Sequence, residues 1–178
     1  MLSCSTVTAY LHRPKIDDAY HEAGHAVVHC FLQVPFKKAS IEKICGDYLG
    51  VIERRRLTQT FTQKTKIGEL KPGDRDQIDR ICETLLAGHL AERRLDGRHA
   101  PPGSHSDHSH VVGFLLGMYS SRATEAYVEF LRVRTEEILN APKVWDAVRA
   151  VATVLMDKEM LSAKVVTAIY EEARSGAP

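Results

Sequence analysis

The strongest constraint on the fold is an amphipathic segment that carries two histidines one helical turn apart. Apolar residues recur near the 3.6-residue period of an α-helix over residues 17–33, with aspartates at the start for capping and Pro35 just beyond the end. We therefore predict a helix over this range. His21 and His25 are four positions apart, so their imidazoles project from the same face and can reach one ion.

Glu22 follows the first of these histidines and completes the pattern His-Glu-x-x-His. Zinc held by three protein ligands keeps a fourth position for water and lowers the pKa of that water to about 7. Glu22 is placed to accept the proton of the water as it attacks a peptide carbonyl, and then to deliver it to the leaving amine. The competing interpretation is two partly exposed histidines on a helix that binds no metal.

The third metal ligand must come from another part of the chain. His29 lies eight residues beyond His21, which is about 12 Å along a helix at about 1.5 Å per residue, so it cannot share the ion. We expect His29 in the core or lining a groove. The residues alone leave the third position open among Asp107, a neighbouring histidine and Glu92.

The remaining pattern is that of short strands followed by helices. Segments 39–41 and 48–52 have strand character and are separated by turn residues near Gly46, which predicts a hairpin. Helical periodicity dominates from Asp74 onward. The sequence predicts an α+β domain that is mostly helical, with a small sheet near the N-terminus. The later helices are expected at residues 74–95, 107–119, 122–140, 143–158 and 162–173.

Charge and composition exclude several classes of function. Lys and Arg number 24 against 23 Asp and Glu, so the formal net charge of +1 lacks the basic excess typical of nucleic-acid or anionic-membrane binders. No secretory signal opens the sequence, and the nearly apolar run 111–119 is shorter than the roughly 20 residues of a membrane span. The 4 cysteines form no CxxC pair, which favours reduced thiols. We expect a cytoplasmic protein that binds neither nucleic acid nor membrane.

Three motifs in the same order make the chain resemble the peptidase domain of the FtsH-type ATP-dependent zinc metalloproteases. Segment 19–28, Ala-Tyr-His-Glu-Ala-Gly-His-Ala-Val-Val, is similar to the signature of that family nearly letter for letter. Segment 86–92 resembles its AGRxAEE helix, and segment 103–107 resembles its GASND element. The likeness covers residues 17–173.

The resemblance implies a zincin-like peptidase domain with a C-terminal helical bundle. It implies that His21, His25 and Asp107 hold Zn²⁺ and that Glu22 is the general base. It also implies that an edge strand aligns the backbone of a polypeptide substrate by strand addition. The substrate-aligning residues would be Leu49, Gly50 and Val51.

The expected organisation is an N-terminal extension over residues 1–16, one peptidase domain over 17–173 and a tail over 174–178. The sequence contains no GxxxxGK[ST] phosphate loop, which the resembled family carries in its ATPase module. The implied activity is therefore independent of ATP by itself and limited to unfolded or small polypeptides. A homo-oligomer and a separate ATPase chain are the partners that the resemblance suggests.

Several residues depart from the family pattern. His89 stands where the family has arginine, and Arg93 replaces a glutamate. Histidines surround Asp107 where the family has small, polar or apolar residues, and we interpret them as a solvated rim, with a second metal site as the alternative. These histidines are His105, His108 and His110.

The alternative function is a non-proteolytic metal-binding scaffold or adaptor that retains the peptidase fold. Glu22 argues against it, because a structural zinc site has no need of a general base and usually fills all four positions with protein ligands.

Overall fold

The computed structural model describes residues 15–44, 47–54, 72–96 and 105–176. Helices dominate these ranges, which confirms the prediction of a mostly helical α+β fold. In chain order the elements are α1 (Lys15–Phe31), β1 (Phe36–Ile44), β2 (Asp47–Arg54), α2 (Pro72–Asp96), α3 (His105–Leu116), α4 (Ser121–Asn140), α5 (Pro142–Lys158), β3 (Met160–Ser162) and α6 (Ala163–Ser175).

Helix α1 lies at the centre of the fold, in contact with α2, α5, α6 and the sheet. Its apolar face is fully buried, as the periodicity predicts, and includes Ala19, Ala23 and Val27. The helix ends two residues before the predicted limit because Gln33 adopts a left-handed conformation, with φ of 56°. Such a residue commonly terminates a helix, and Pro35 follows it.

The approach of α1 to α2 depends on small side chains. A Cβ atom on Gly24 of α1 would lie 2.6 Å from Ala91 Cβ and 2.7 Å from the carbonyl oxygen of Ala87, both on α2. No side chain larger than hydrogen fits there without moving a helix backbone. This close packing brings the histidine face of α1 directly against α2.

The sheet is antiparallel with the strand order β2-β1-β3. Strands β1 and β2 form the predicted hairpin, with Ile41 paired to Gly50, while residues 45 and 46 of the predicted turn lie outside the described ranges. The sequence predicts a small sheet near the N-terminus but does not predict β3, which joins this sheet from the C-terminal part of the chain. Met160 pairs with Ser40 after the chain turns at Glu159, which has φ of 59°.

The helices after α3 begin where capping residues predict breaks. The Ser120 side chain accepts a hydrogen bond from the backbone N–H of Ala123, and Ser162 accepts one from Val165, both at 3.4 Å. Pro142 occupies the first turn of α5. Together α4, α5 and α6 form the predicted C-terminal helical region. Within the described ranges no helix is both long and apolar enough to cross a bilayer.

Candidate metal centre

Two imidazoles and one carboxylate converge between α1 and α3. His21 Nε2 and His25 Nε2 are 2.9 Å apart, and Asp107 Oδ2 lies 3.3 Å from the first and 3.2 Å from the second. Ligand atoms around a tetrahedral ion with bonds of about 2.0–2.1 Å are about 3.3 Å apart. The separations fit such an ion, with the two nitrogens somewhat closer than the ideal. The structure thus brings together the three residues that the resemblance assigns to the metal.

Contacts behind the imidazoles fix their orientation. His25 Nδ1 donates a hydrogen bond to the backbone carbonyl oxygen of Thr84 at 2.5 Å, and His21 Nδ1 donates to the Glu92 carboxylate. Both acceptors belong to α2. With its single proton on Nδ1, a neutral ring presents the lone pair of Nε2 towards the other ring and Asp107, the arrangement that metal-binding histidines adopt.

The contact with His21 decides the role of Glu92, a candidate third ligand in the sequence analysis. Glu92 meets the opposite ring nitrogen from the one that faces Asp107, so it orients the ligand face and does not belong to it. The spacing in the sequence indicates this position, because Glu92 is one helical turn beyond Gly88. Thr84 was not foreseen, since a backbone carbonyl contact requires no particular side chain.

Gly88 forms the floor of the site. A Cβ atom at this position would lie 2.4 Å from His25 Nε2 and 2.6 Å from His21 Nε2. Both distances are below any normal contact, so the two ligand nitrogens lie directly on the backbone of α2. The sequence analysis placed Gly88 in a motif without finding this reason for it.

Glu22 lies beside the converging nitrogens. Its Oε1 is 4.0 Å from His21 Nε2, and its side chain is 3% exposed. The ligand atoms of His21, Glu22 and His25 all lie within 4.8 Å of one another, and all three residues are buried. This buried group can hold a metal ion.

The charges around the site favour a cation. Burial lowers the pKa of His21, but hydrogen bonds to Asp107 and Glu92 and the charge of Glu22 outweigh it and raise the pKa to about 10. Burial acts to raise the pKa of Asp107, yet hydrogen bonds to His21 and His25 hold it well below its usual range. In the metal-free chain a proton on His21 therefore supplies positive charge that a bound cation would replace.

His29 and the buried acid Glu83 lie apart from this cluster. His29 is buried, donates through Nδ1 to the carbonyl oxygen of Val34 at 3.0 Å and packs on Phe36, which confirms that it is a core residue. Glu83 faces Arg134 of α4, 3.1 Å away. His108 and His110 are exposed on α3. Nothing is described of the side chain of His105.

The candidate substrate strand is one of the two edge strands of the described sheet. Leu49, Gly50 and Val51 lie in β2 and pair with residues 40–42 of β1. Strand β2 also lies alongside α1, the helix that carries the two histidines.

Neither a protein-family model nor a curated protein matches this chain.

Proposed function

We propose that this chain is a zinc-dependent metallopeptidase with a zincin-like domain. One observation carries the proposal: two imidazole nitrogens and the Asp107 carboxylate oxygen lie 2.9–3.3 Å from one another. Glu22 is buried beside them. The three motifs that resemble FtsH-type peptidases support the same interpretation.

The donor set suits a catalytic metal. His21, His25 and Asp107 offer two nitrogens and one oxygen, and catalytic zinc sites typically have three protein ligands of these types. A zinc ion held there would supply Lewis acidity that polarises a peptide carbonyl and makes water acidic near neutral pH. Two histidines and one carboxylate also suit non-haem iron. The neighbouring carboxylate of Glu22 favours hydrolysis, because it offers a base for the attacking water.

The proton transfers fall to Glu22. Its carboxylate accepts a proton from water while the water oxygen adds to the carbonyl carbon of the substrate. Glu22 then gives that proton to the amide nitrogen as the carbon–nitrogen bond breaks. One water is consumed, and one carboxyl terminus and one amino terminus are released.

The substrate is an extended polypeptide. Residues 49–51 of β2 offer backbone groups for strand addition, which requires a chain free of other secondary structure. Unfolded segments and small peptides meet this requirement. Folded proteins would need a separate unfolding activity, such as that of an ATPase partner.

Substitution of Glu22 tests the proposal. The wild type and Glu22→Gln are each loaded with zinc, analysed for metal content and assayed on casein and on a fluorogenic peptide. We expect equal zinc content and a loss of activity of about 10²–10⁴-fold, the usual contribution of a general base. Glu137→Gln, on the exposed face of α4, is the matched control. A zinc-loaded wild type whose cleavage equals that of Glu22→Gln would refute the peptidase, as would preferential loading with iron.

The burial of the site favours one alternative, a zinc-stabilised scaffold without catalysis. His21, Glu22 and His25 are all buried, so a metal ion there would link helices inside the fold. Chelation separates the two functions. A peptidase loses cleavage while its helical circular dichroism persists, whereas a scaffold unfolds and has no cleavage to lose.

A further inference from the structure

His89 differs from the two metal-facing histidines in what its Nδ1 atom meets. The Nδ1 atoms of His21 and His25 each donate a hydrogen bond to an acceptor on α2. The Nδ1 of His89 is a buried atom without a hydrogen-bond partner in the described part of the chain. An unsatisfied polar atom at the edge of a functional site requires an explanation.

The difference fixes the tautomers. A proton on Nδ1 of His89 would be a buried N–H without an acceptor, which is unfavourable. The ring is half-buried, so the proton resides on Nε2, on its open side. In this tautomer the ring carries one N–H, on Nε2.

The position of His89 is next to the metal-facing nitrogens. It follows Gly88, the residue on which those nitrogens lie, and points about 100° further around α2. His21, His25 and Glu92 are near enough to act on its ring electrostatically, as is His108 of α3. The imidazole therefore lies beside the metal-facing nitrogens.

We infer that His89 is a substrate-binding donor, whose Nε2–H bonds to the carbonyl oxygen of the peptide bond that is cut. This inference rests on the proposed function. In this tautomer the Nε2–H is available to donate to a substrate atom. Negative charge develops on the carbonyl oxygen during attack, so a fixed donor there binds the transition state more tightly than the substrate.

The tautomer is tested directly by ¹⁵N NMR of the histidine rings. We expect His89 to carry its proton on Nε2 in the metal-free and the zinc-loaded chain. In the zinc-loaded chain we expect His21 and His25 to carry theirs on Nδ1. A proton on Nδ1 of His89, or a His89 shift typical of a metal ligand, would overturn the inference without any activity measurement.

Substitution tests the contact with substrate. In zinc-loaded His89→Ala we expect unchanged zinc content and KM, and a fall in kcat of about 10²–10³-fold, as for loss of one such donor. His89→Gln keeps a donor and should restore part of the rate. Affinity for a phosphinic peptide, whose tetrahedral phosphorus oxygens imitate the attacked carbonyl, should fall in parallel with kcat. His110→Ala, exposed on α3, is the matched control and should change none of these quantities.

The outcomes separate this inference from the proposed function. If His89→Ala binds the phosphinic peptide as tightly as the wild type while Glu22→Gln is inactive, His89 has no such role and the peptidase stands. If no variant cleaves peptides but phosphinic binding still requires His89, the peptidase fails and the contact stands. Loss of zinc from His89→Ala, or a wild type that does not bind the phosphinic peptide, would overturn the contact.

Discussion

Gly88 determines whether the two imidazoles can face one ion. A methyl group in Gly88→Ala would collide with both Nε2 atoms, at 2.4 and 2.6 Å, and would push the rings apart. Alanine favours the helical state over glycine by about 1 kcal/mol, so the collision opposes a small gain in helix stability. We expect a fold that persists and a zinc affinity at least about 10-fold lower, the scale of a disturbed ligand shell. Competitive titration with a chromophoric chelator measures this affinity.

Gly113→Ala is the matched control for that substitution. Gly113 lies on the exposed face of α3, where an added methyl group would have no heavy atom of the described chain within 4 Å. Its zinc affinity should equal that of the wild type, and its melting temperature should rise slightly. Equal zinc affinities for the two alanine variants would contradict the role of Gly88.

Some residues of the site could be predicted from the sequence, and others could not. The spacing of His21 and His25 predicts their convergence, because it depends only on helix geometry. Asp107 required the resemblance, since the residues alone left several donors open. The unpartnered Nδ1 of His89 could not be predicted, because it depends on which acceptors the packed helices bring near the ring.

Among the secondary-structure elements, helix α2 contacts the metal site with one face and helix α4 with another. Thr84, Gly88 and Glu92 meet α1, while Glu83 is fully buried and faces Arg134 of α4. Burial raises the pKa of Glu83 to about 7, and the charge of Arg134 opposes part of this rise. The carboxyl group is therefore far less acidic in the fold than in the unfolded chain.

This shift predicts a pH dependence of stability. Because the folded chain holds the Glu83 proton more tightly than the unfolded chain, this residue stabilises the fold below about pH 4.3, its unfolded pKa. That contribution declines as pH rises through the folded pKa of about 7 and is absent above it. Glu83→Gln imitates the protonated acid, so it should raise the free energy of unfolding at pH 8 and change it little at pH 4.

Denaturant unfolding of metal-free protein at both pH values measures the effect. Glu137→Gln, an exposed substitution on α4, is the control and should leave the pH dependence unaltered. If the free energy of unfolding of Glu83→Gln changes between pH 4 and pH 8 by as much as that of the wild type, Glu83 does not cause the pH dependence.

The long helices could be predicted from the sequence pattern, whereas the shortest strand could not. Helices α4, α5 and α6 are long and have capping residues, so their bounds fall within two residues of the prediction. Strand β3 has only the residues Met160–Ser162, too few to display an alternating pattern. It forms because α5 ends beside β1, and the backbone N–H of Ile41 donates to the carbonyl oxygen of Glu159 at 2.8 Å.

For the molecule as a whole, the metal site and the apolar core stabilise different parts. Helix α5 packs on α1 through fully buried residues that include Val148, Val151 and Leu155. Helix α3 has fewer buried residues, among them Val111 and Leu115. Asp107, near its start, meets both metal-facing histidines of α1. A bound ion would therefore stabilise the position of α3 against a core that apolar packing already stabilises.

Metal removal should accordingly loosen one element rather than the whole fold. Chelation should accelerate hydrogen exchange in α3 by at least about 10-fold, since a ligand protects the state that binds it by RT ln(1 + [L]/Kd). Exchange in α5 should be unchanged, because its protection comes from apolar burial against α1. Exchange with mass spectrometry on zinc-loaded and chelated protein resolves the two helices, and Asp107→Asn should reproduce the chelated pattern with zinc present. Equal acceleration in α3 and α5 would mean that the ion supports the entire core, the behaviour of a structural site and not of a peptidase centre built on a stable fold.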